Sequence, residues 1–305
     1  MDTSEVPAKK SHPILVTLLG TFVASGLAVM GVVLVGLRHN AAFGWTMFII
    51  LPVATGMVIA SFSRSVPATV GSILLSLMVC FAFLLLGGLE GVVCILMAFP
   101  LFFIFAVLGV LIGAVISRLA RKGSDSRSNL VLLPLIGVSS VFGAGQVEDR
   151  LASSDRIETV TTTRTVLATP EQVWAKILSI DEVSGIEPFL LRIGLPVPKS
   201  CTLKGSGVGA RRVCHFETGV IEEEVTNWEP GRRLDVRIIR STLPGRHWLR
   251  FERASYELEP LSPTATRLTR ATTISTKLRP GWYWRYMEAM GVQAEHRYLL
   301  DSVFR

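Results

Sequence analysis

GVGARRVCHFETGVIEEEVTNWEPGRRLDVRI, residues 207–238, decides how the C-terminal half is built. Its runs ARRVCHFE, VIEEEVTNW and the start of RLDVRII are strand candidates. Thr218-Gly219 and Glu229-Pro230-Gly231, residue types that end strands and turn the chain, separate them. Consecutive strands with such short breaks pair antiparallel. Upstream lie CTLKG, the break GSGVG and, further back, the strand-like IETVTTTRTVLA (157–168). Downstream lie HWLRFERASYELE and ATRLTRATTISTKL, bounded by Leu243-Pro244-Gly245 and Ser262-Pro263. Seven strands are expected.

Two helices frame them. TPEQVWAKI has Thr169 as N-cap, Pro170 at the first helical position, and Glu171 or Gln172 in the first turn. A second short helical or loop piece is expected near Ile180 to Phe189. From Pro280 a long helical pattern runs to about Val303. Tyr283, Met287, Met290, Ala294 and Tyr298 recur at helical spacing on one face. Arg285, Val292 and His296 fall on the other, so His296 is expected to be exposed.

VLATPEQVWAKI (166–177) resembles the opening strand–helix signature of the START/polyketide-cyclase proteins, the helix-grip or SRPBCC superfamily. The stretch quoted first resembles their central strands, in which a glycine-led hairpin precedes an acidic strand. TRLTRATTISTKLRPGWYWRYMEAM (266–290) resembles their last strand and C-terminal helix. The resemblance covers Ile157 to the end, about half the chain. It implies an α+β helix-grip domain, a curved antiparallel sheet with a long C-terminal helix across it. It also implies an apolar cavity between the two for lipids, sterols, polyketides or other hydrophobic molecules. Phe189, Phe216, Tyr283, Met287, Met290 and Tyr298 are then the cavity candidates, although the helical stripe among them reads equally as plain core. A few members are cyclases or hydrolases, so the resemblance supplies no reaction.

The N-terminal half has another texture. A mean hydropathy of +0.47 with 18% charged residues averages over two unlike parts. Through Gly145 there are 8 Lys/Arg and 4 Asp/Glu, and from Gln146 onward 23 and 20. Apolar runs at 13–37, 41–62, 66–89 and 91–117 have the length a bilayer core requires, about 20 residues. They predict an all-α transmembrane bundle over 13–145, behind a cytoplasmic tail at 1–12. The first run is too long for a signal-peptide core and lacks a small-residue cleavage site, so it reads as retained. A fifth segment, 129–145, is short and contains Pro134. It reads either as a crossing, which is favoured, or as a surface or re-entrant piece. A linker at 146–156 then leads to the soluble domain at 157–305.

Lys9, Lys10, Arg64, Arg118, Arg121, Lys122 and Arg127 fall in alternate flanks of these runs, against Arg38 alone in the others. Positive charge favours the cytoplasm. Five crossings therefore put the N-terminus in the cytoplasm and the C-terminal domain outside it, in a plasma (inner) membrane. No Asp, Glu, Lys or Arg lies deep in the runs, which argues against a transporter. Gly109 and Gly113 form a small-xxx-small pair, a helix-packing face through which oligomers are also conceivable. Pro52 and Pro100 read as kinks.

The midpoint of Cys201 and Cys214 falls between Gly207 and Val208, inside GSGVG, so a hairpin turning there sets them opposite one another, within reach of a disulfide. Two reduced, buried cysteines are the alternative. A disulfide accords with an oxidising location. Cys80 and Cys94 lie in apolar runs and read as packing residues. No zinc spacing exists, since His215, His247 and His296 are scattered, and no cofactor is expected. Glu222, Glu223 and Glu224 alternate between strand faces. Glu222, Glu224 and His215 are the candidates for acid–base work, against the stronger reading of solvated acids paired with Arg211, Arg212 or Arg237. Trp282 and Trp284, beside Arg279 and Arg285, read as surface aromatics more readily than as lipid-headgroup contacts. The formal charge of +7 is spread over both halves without a groove-reading motif, so nucleic acid is not an expected partner.

The expectation is a membrane-anchored, non-catalytic binding domain for a hydrophobic small molecule or lipid, partnered by the bilayer. Its rivals are a cyclase- or hydrolase-type enzyme on a lipid-like substrate, and a structural or stress-related membrane protein whose soluble domain binds protein.

Overall fold

A computed structural model describes residues 13–36, 43–63, 65–87, 90–120, 126–151, 154–243 and 248–304. The tail 1–12, the flanking charges Lys9, Lys10, Arg38, Arg64, Arg121 and Lys122, the Pro244-Gly245 turn and His247 lie outside the described residues. The chain divides into two compact units, a helical one through α5 and a mixed one from β1 onward.

The helical unit comprises α1 (Pro13–Gly36), a π-helical turn (Thr46–Ile50) running into α2 (Leu51–Phe62), α3 (Val66–Leu86), α4 (Val92–Ala120) and α5 (Ser126–Arg150). Three of these helices, α1, α3 and α4, are long and apolar enough to cross a membrane, while Thr46–Phe62 is a shorter apolar helix. Pro52 is the second residue of α2, one residue past the π-helical turn, a place where a helix adjusts to a missing N–H.

Neighbours fix the direction of each helix. Thr21 Oγ1 meets Ser72 Oγ at 2.8 Å and Ser25 Oγ donates to Ser76 Oγ at 3.3 Å, so α1 and α3 run parallel. Gly20 lies against Phe62 and Gly31 against Leu51, so α1 and α2 run antiparallel. A Cβ on Gly109 would come within 2.1 Å of Val53 O, one on Gly56 within 2.0 Å of Ala106 O, and one on Gly113 within 2.8 Å of Ala60 Cβ. The small-xxx-small pair is therefore where α4 and the parallel α2 touch backbone to backbone. α5 returns antiparallel to α2. The backbone N–H groups of Trp45 and Thr46 donate to the Glu148 carboxylate at 2.7 and 2.9 Å. This cap at a helix N-terminus explains why α5 continues to Arg150, into the stretch that the sequence suggests is linker. The five helices thus alternate in direction along the chain.

The second unit contains β1 (Arg156–Val166), α6 (Pro170–Leu178), α7 (Phe189–Arg192), β2 (Pro198–Lys204), β3 (Arg211–Phe216), β4 (Gly219–Glu229), β5 (Arg233–Ser241), β6 (Leu249–Ser262), β7 (Ala265–Thr276) and α8 (Gly281–Val303). The strands form one antiparallel sheet in the order β1-β7-β6-β5-β4-β3-β2. This is the expected α+β helix-grip layout. Gly205, Gly207 and Gly209, all at positive φ, turn the β2–β3 hairpin as glycine readily does. At α6 the Thr169 side chain accepts from Gln172 N and Gln172 Oε1 accepts from Thr169 N, a reciprocal capping box.

The inner face of the sheet packs against α6 and α8 through Val166, Val225, Leu234, Val236, Leu258 and Leu268, with Trp174, Ile177, Leu300 and Phe304 opposite. A second cluster joins Ile180, Leu191, Val197, Cys201 and Cys214 to Tyr298 and Leu299. α8 is rotated from the sequence expectation. Trp284, Glu288, Val292, His296 and Leu300, at steps of four, are its buried face, and Tyr283, Met287 and Met290 are half-buried. His296 is 0% exposed. Hydropathy selects the wrong stripe because the inner face of the sheet offers polar partners to α8, as the next section describes.

Candidate functional site: a buried polar cluster beneath the last helix

α8 is fastened to the sheet by polar contacts along its length. Near its start Glu288 accepts from Thr276 Oγ1 at 2.7 Å and from Arg156 Nη2 at 2.8 Å. Arg156 Nη1 and Arg285 Nε both donate to Glu158, at 2.8 and 2.9 Å. Burial works to raise the Glu158 pKa, but the two guanidiniums outweigh it and hold the carboxyl below its ordinary range. At mid-helix, Thr272 Oγ1 lies 2.8 Å from His296 Nε2 and Thr162 Oγ1 lies 3.0 Å from Nδ1. Burial, assisted by the positive charge of Arg270, pushes the His296 pKa down to about 2. The ring is neutral, donating from one nitrogen and accepting at the other. Near the end of α8, Arg164 pairs with Asp301.

Strand parity places the second half of the cluster. Arg212 shares its face of β3 with Cys214, and Glu223 shares its face of β4 with Ile221 and Val225; all five are buried. Arg212 and Glu223 stand directly opposite in the β3–β4 register, and Arg212 Nη1 donates to Glu223 Oε2 at 2.9 Å. On the far side, Tyr256 of β6 and Arg270 of β7 are also cross-strand partners. Arg270 binds Glu295 of α8 through Nη1 and Nη2, both at 3.2 Å.

The curl of the sheet brings the two arginines to one tyrosine. Arg212 Cζ is 5.5 Å and Arg270 Cζ 5.6 Å from the centroid of the Tyr256 ring, within cation–π range. Burial opposes both positive charges. Tyr256 and Glu223 offset this at Arg212, and Glu295 and Tyr256 at Arg270, so that both pKa values end raised. Arg212 Nε and Nη2, and Arg270 Nε, are buried without a hydrogen-bond partner. The cluster therefore presents N–H donors to oxygen acceptors. Burial and the neighbouring Arg270 thus favour the neutral imidazole, which serves here as a hydrogen-bond link between Thr162 and Thr272.

Residues 158–300 match the family model described as polyketide cyclase / dehydrase and lipid transport. The matched stretch spans the sheet from β1 through most of α8. The match covers nearly the whole helix-grip domain, a little under half of the chain. Solved structures similar to this helix-grip domain include the Zhui aromatase/cyclase from Streptomyces sp. R1128, at 16% identity over 49% of this chain and 92% of that chain, TM-score 0.36. A START superfamily protein from Mycobacterium smegmatis shares 16% identity over 48% of this chain and 96% of that one, TM-score 0.34. Norcoclaurine synthase from Thalictrum flavum, in complex with dopamine and hydroxybenzaldehyde, shares 14% over 49% and 86%, TM-score 0.35. No curated protein matches the sequence.

Within the helix-grip domain the acid–base candidates do not come together. His215 is exposed. Glu222 pairs with Arg240, and Glu224 with Arg211 and Arg237, on the opposite side of β4 from the core. The inward acid is Glu223, a correction that parity supplies: it lies two residues from both Ile221 and Val225. Among the cavity candidates Tyr298 is buried, Phe216, Tyr283, Met287 and Met290 are half-buried, and Phe189 is 59% exposed at the start of α7, outside the core. Cys201 and Cys214 face each other in register and are disulfide-bonded, with Cα atoms 4.0 Å apart. Arg212, Arg270 and Tyr256 were missed as a group. The signal available was the face that Arg212 shares with Cys214.

Proposed function

We propose that the chain is a membrane-anchored protein whose helix-grip domain binds a hydrophobic or lipid-like ligand without catalysing a reaction on it. The observation that carries this reading is the joining, in one chain, of a domain from a family described by lipid transport and cyclase chemistry to three helices long and apolar enough to cross a bilayer. The surface placement of Glu222, Glu224 and His215 and the neutral, doubly hydrogen-bonded His296 support a binding role.

The membrane region contributes five crossings on this reading, with α5 as the fifth. The alternating directions of the helices support it: α5 ends on the side of the bundle opposite the start of α1. Positive flanks place the start of α1 in the cytoplasm, so the binding domain emerges on the other side of a plasma membrane. The disulfide accords with that compartment.

Full-length protein extracted in mild detergent would be subjected to native mass spectrometry and lipid extraction. A stoichiometric apolar molecule retained by the C-terminal domain is expected; a domain that carries and exchanges none sinks the proposal. A C-terminal reporter active only in the cytoplasm, or free alkylation of Cys201 and Cys214 in native membranes, overturns the orientation.

A further inference from the structure

Arg212 is 1% exposed, yet a single guanidinium nitrogen is partnered at full hydrogen-bond geometry: Nη1 donates to Glu223, whereas Nε and Nη2 reach no acceptor at bonding distance, the Tyr256 side chain being the polar neighbour that helps hold the charge. Those two atoms form one edge of the guanidinium plane, where an N–H of each points the same way. That edge is the geometry that grips both oxygens of a carboxylate or phosphate. Arg270, beside the same Tyr256 ring, repeats the pattern with its buried Nε unpartnered while its other two nitrogens hold Glu295. The unpartnered atoms on both arginines are donors. Buried donors without acceptors are costly, and folded proteins rarely leave them so.

We infer that the free edge of Arg212, with Arg270 Nε as a second donor, is the docking point for an oxyanion head, a carboxylate or a phosphate, on the apolar ligand. The inference rests on the binding function proposed above and names the polar end of its ligand. A lone hydroxyl or ketone oxygen offers one acceptor atom to an edge that presents two parallel donors, whereas the paired oxygens of an oxyanion satisfy both. Glu223 engages Arg212 only through Nη1, leaving the side-on edge for the ligand, and Arg270 supplies a second positive charge 5.6 Å from the centroid of the same Tyr256 ring. Lysine cannot reproduce this edge, since its ammonium is a point charge.

The test uses the full chain in maltoside micelles with three photoactivatable sixteen-carbon probes: palmitate, hexadecyl phosphate and hexadecanol, each with a diazirine in the alkyl chain. Labelled peptides are mapped by mass spectrometry. At least one anionic probe is expected to label peptides from residues 154–304 about tenfold more than hexadecanol, the worth of a charge-assisted hydrogen-bond pair. Which anion labels more strongly identifies the head. Arg212→Lys is expected to remove the preference. Equal labelling by all three probes on wild type, or an undiminished preference in Arg212→Lys, overturns the inference while the hydrophobic-ligand reading stands; the edge then holds buried water only. No labelling of the C-terminal domain by any probe overturns both. If Arg212→Lys does not fold, as checked by thermal unfolding, the three-probe comparison on wild type decides alone.

Discussion

In the helical unit the buried polar side chains among the described residues are all hydroxyls: Thr21, Ser25, Thr46, Thr55, Ser72 and Ser76. The helix-grip domain instead buries Arg212, Glu223, Arg270, Glu288 and His296. A hydroxyl can be satisfied by its own helix, as Thr21 is by Thr17 O and Thr55 by Leu51 O. It then adds a weak bond to a neighbour at little cost in lipid. A charge in lipid has no such local remedy. In a domain folded in water, a buried ion pair costs desolvation but ties specific strands and helices together. The first interior is held by close backbone contact, the second by paired ions that fix where α8 lies.

The largest expected difference follows from breaking an ion pair. Glu223→Ala leaves Arg212 buried and unpaired and should destabilise the domain by about 3–5 kcal/mol, whereas a joint Arg212→Met, Glu223→Leu change should cost less than either single change. Chemical unfolding of Glu223→Ala, Arg212→Met, Glu223→Leu and the joint variant checks this, and a joint variant that merely adds the two single costs would contradict it. Next is Gly109→Leu, which drives a side chain into the Val53 carbonyl and should cost the helical unit about 1–3 kcal/mol, read as a lower melting temperature in detergent.

Acid comes third. His296 has a depressed folded pKa, so the unfolded chain takes up a proton near its ordinary value of 6.5 while the folded protein does not. Stability is therefore full above that value and declines as pH falls, by about 1–2 kcal/mol between pH 7 and 5. Glu158, whose folded pKa is lowered, adds its own loss only below the ordinary carboxylate range. A His296→Gln variant should show a flatter profile between pH 7 and 5. The smallest effect is Thr21→Val. It removes one interhelical hydroxyl contact and should cost about 0.6 kcal/mol; a loss comparable to that of Glu223→Ala would erase the contrast between the two interiors.

The seven strands were legible because Pro and Gly punctuate them, and the disulfide because Cys201 and Cys214 are symmetric about a glycine-rich turn. Hydropathy failed for α8, where Glu288 and His296 face inward toward Arg156, Thr162, Thr272 and Thr276 on strands far away in sequence. An amphipathic pattern cannot show that a polar residue has a buried partner until the sheet is assembled. Glu223 was more accessible than that: its parity with Ile221 and Val225 was already in the sequence, and weighing the three glutamates as separate acids concealed it.

The glutamate triplet also bears on the register of β4. In the native pairing one glutamate turns inward to meet one arginine, and the β4–β5 ladder takes up an irregularity beside it, with Glu222 opposite Arg240 and Glu223 opposite Ile238. A slip of β4 by one residue would invert every side chain of that strand. It would bring Glu222 and Glu224 together into the dry interior and leave Glu223 in water. Two carboxylates competing for Arg212 repel one another, so the misaligned sheet is penalised by charge as well as by lost packing. The triplet thus makes a one-residue slip of β4 costly in charge as well as in packing.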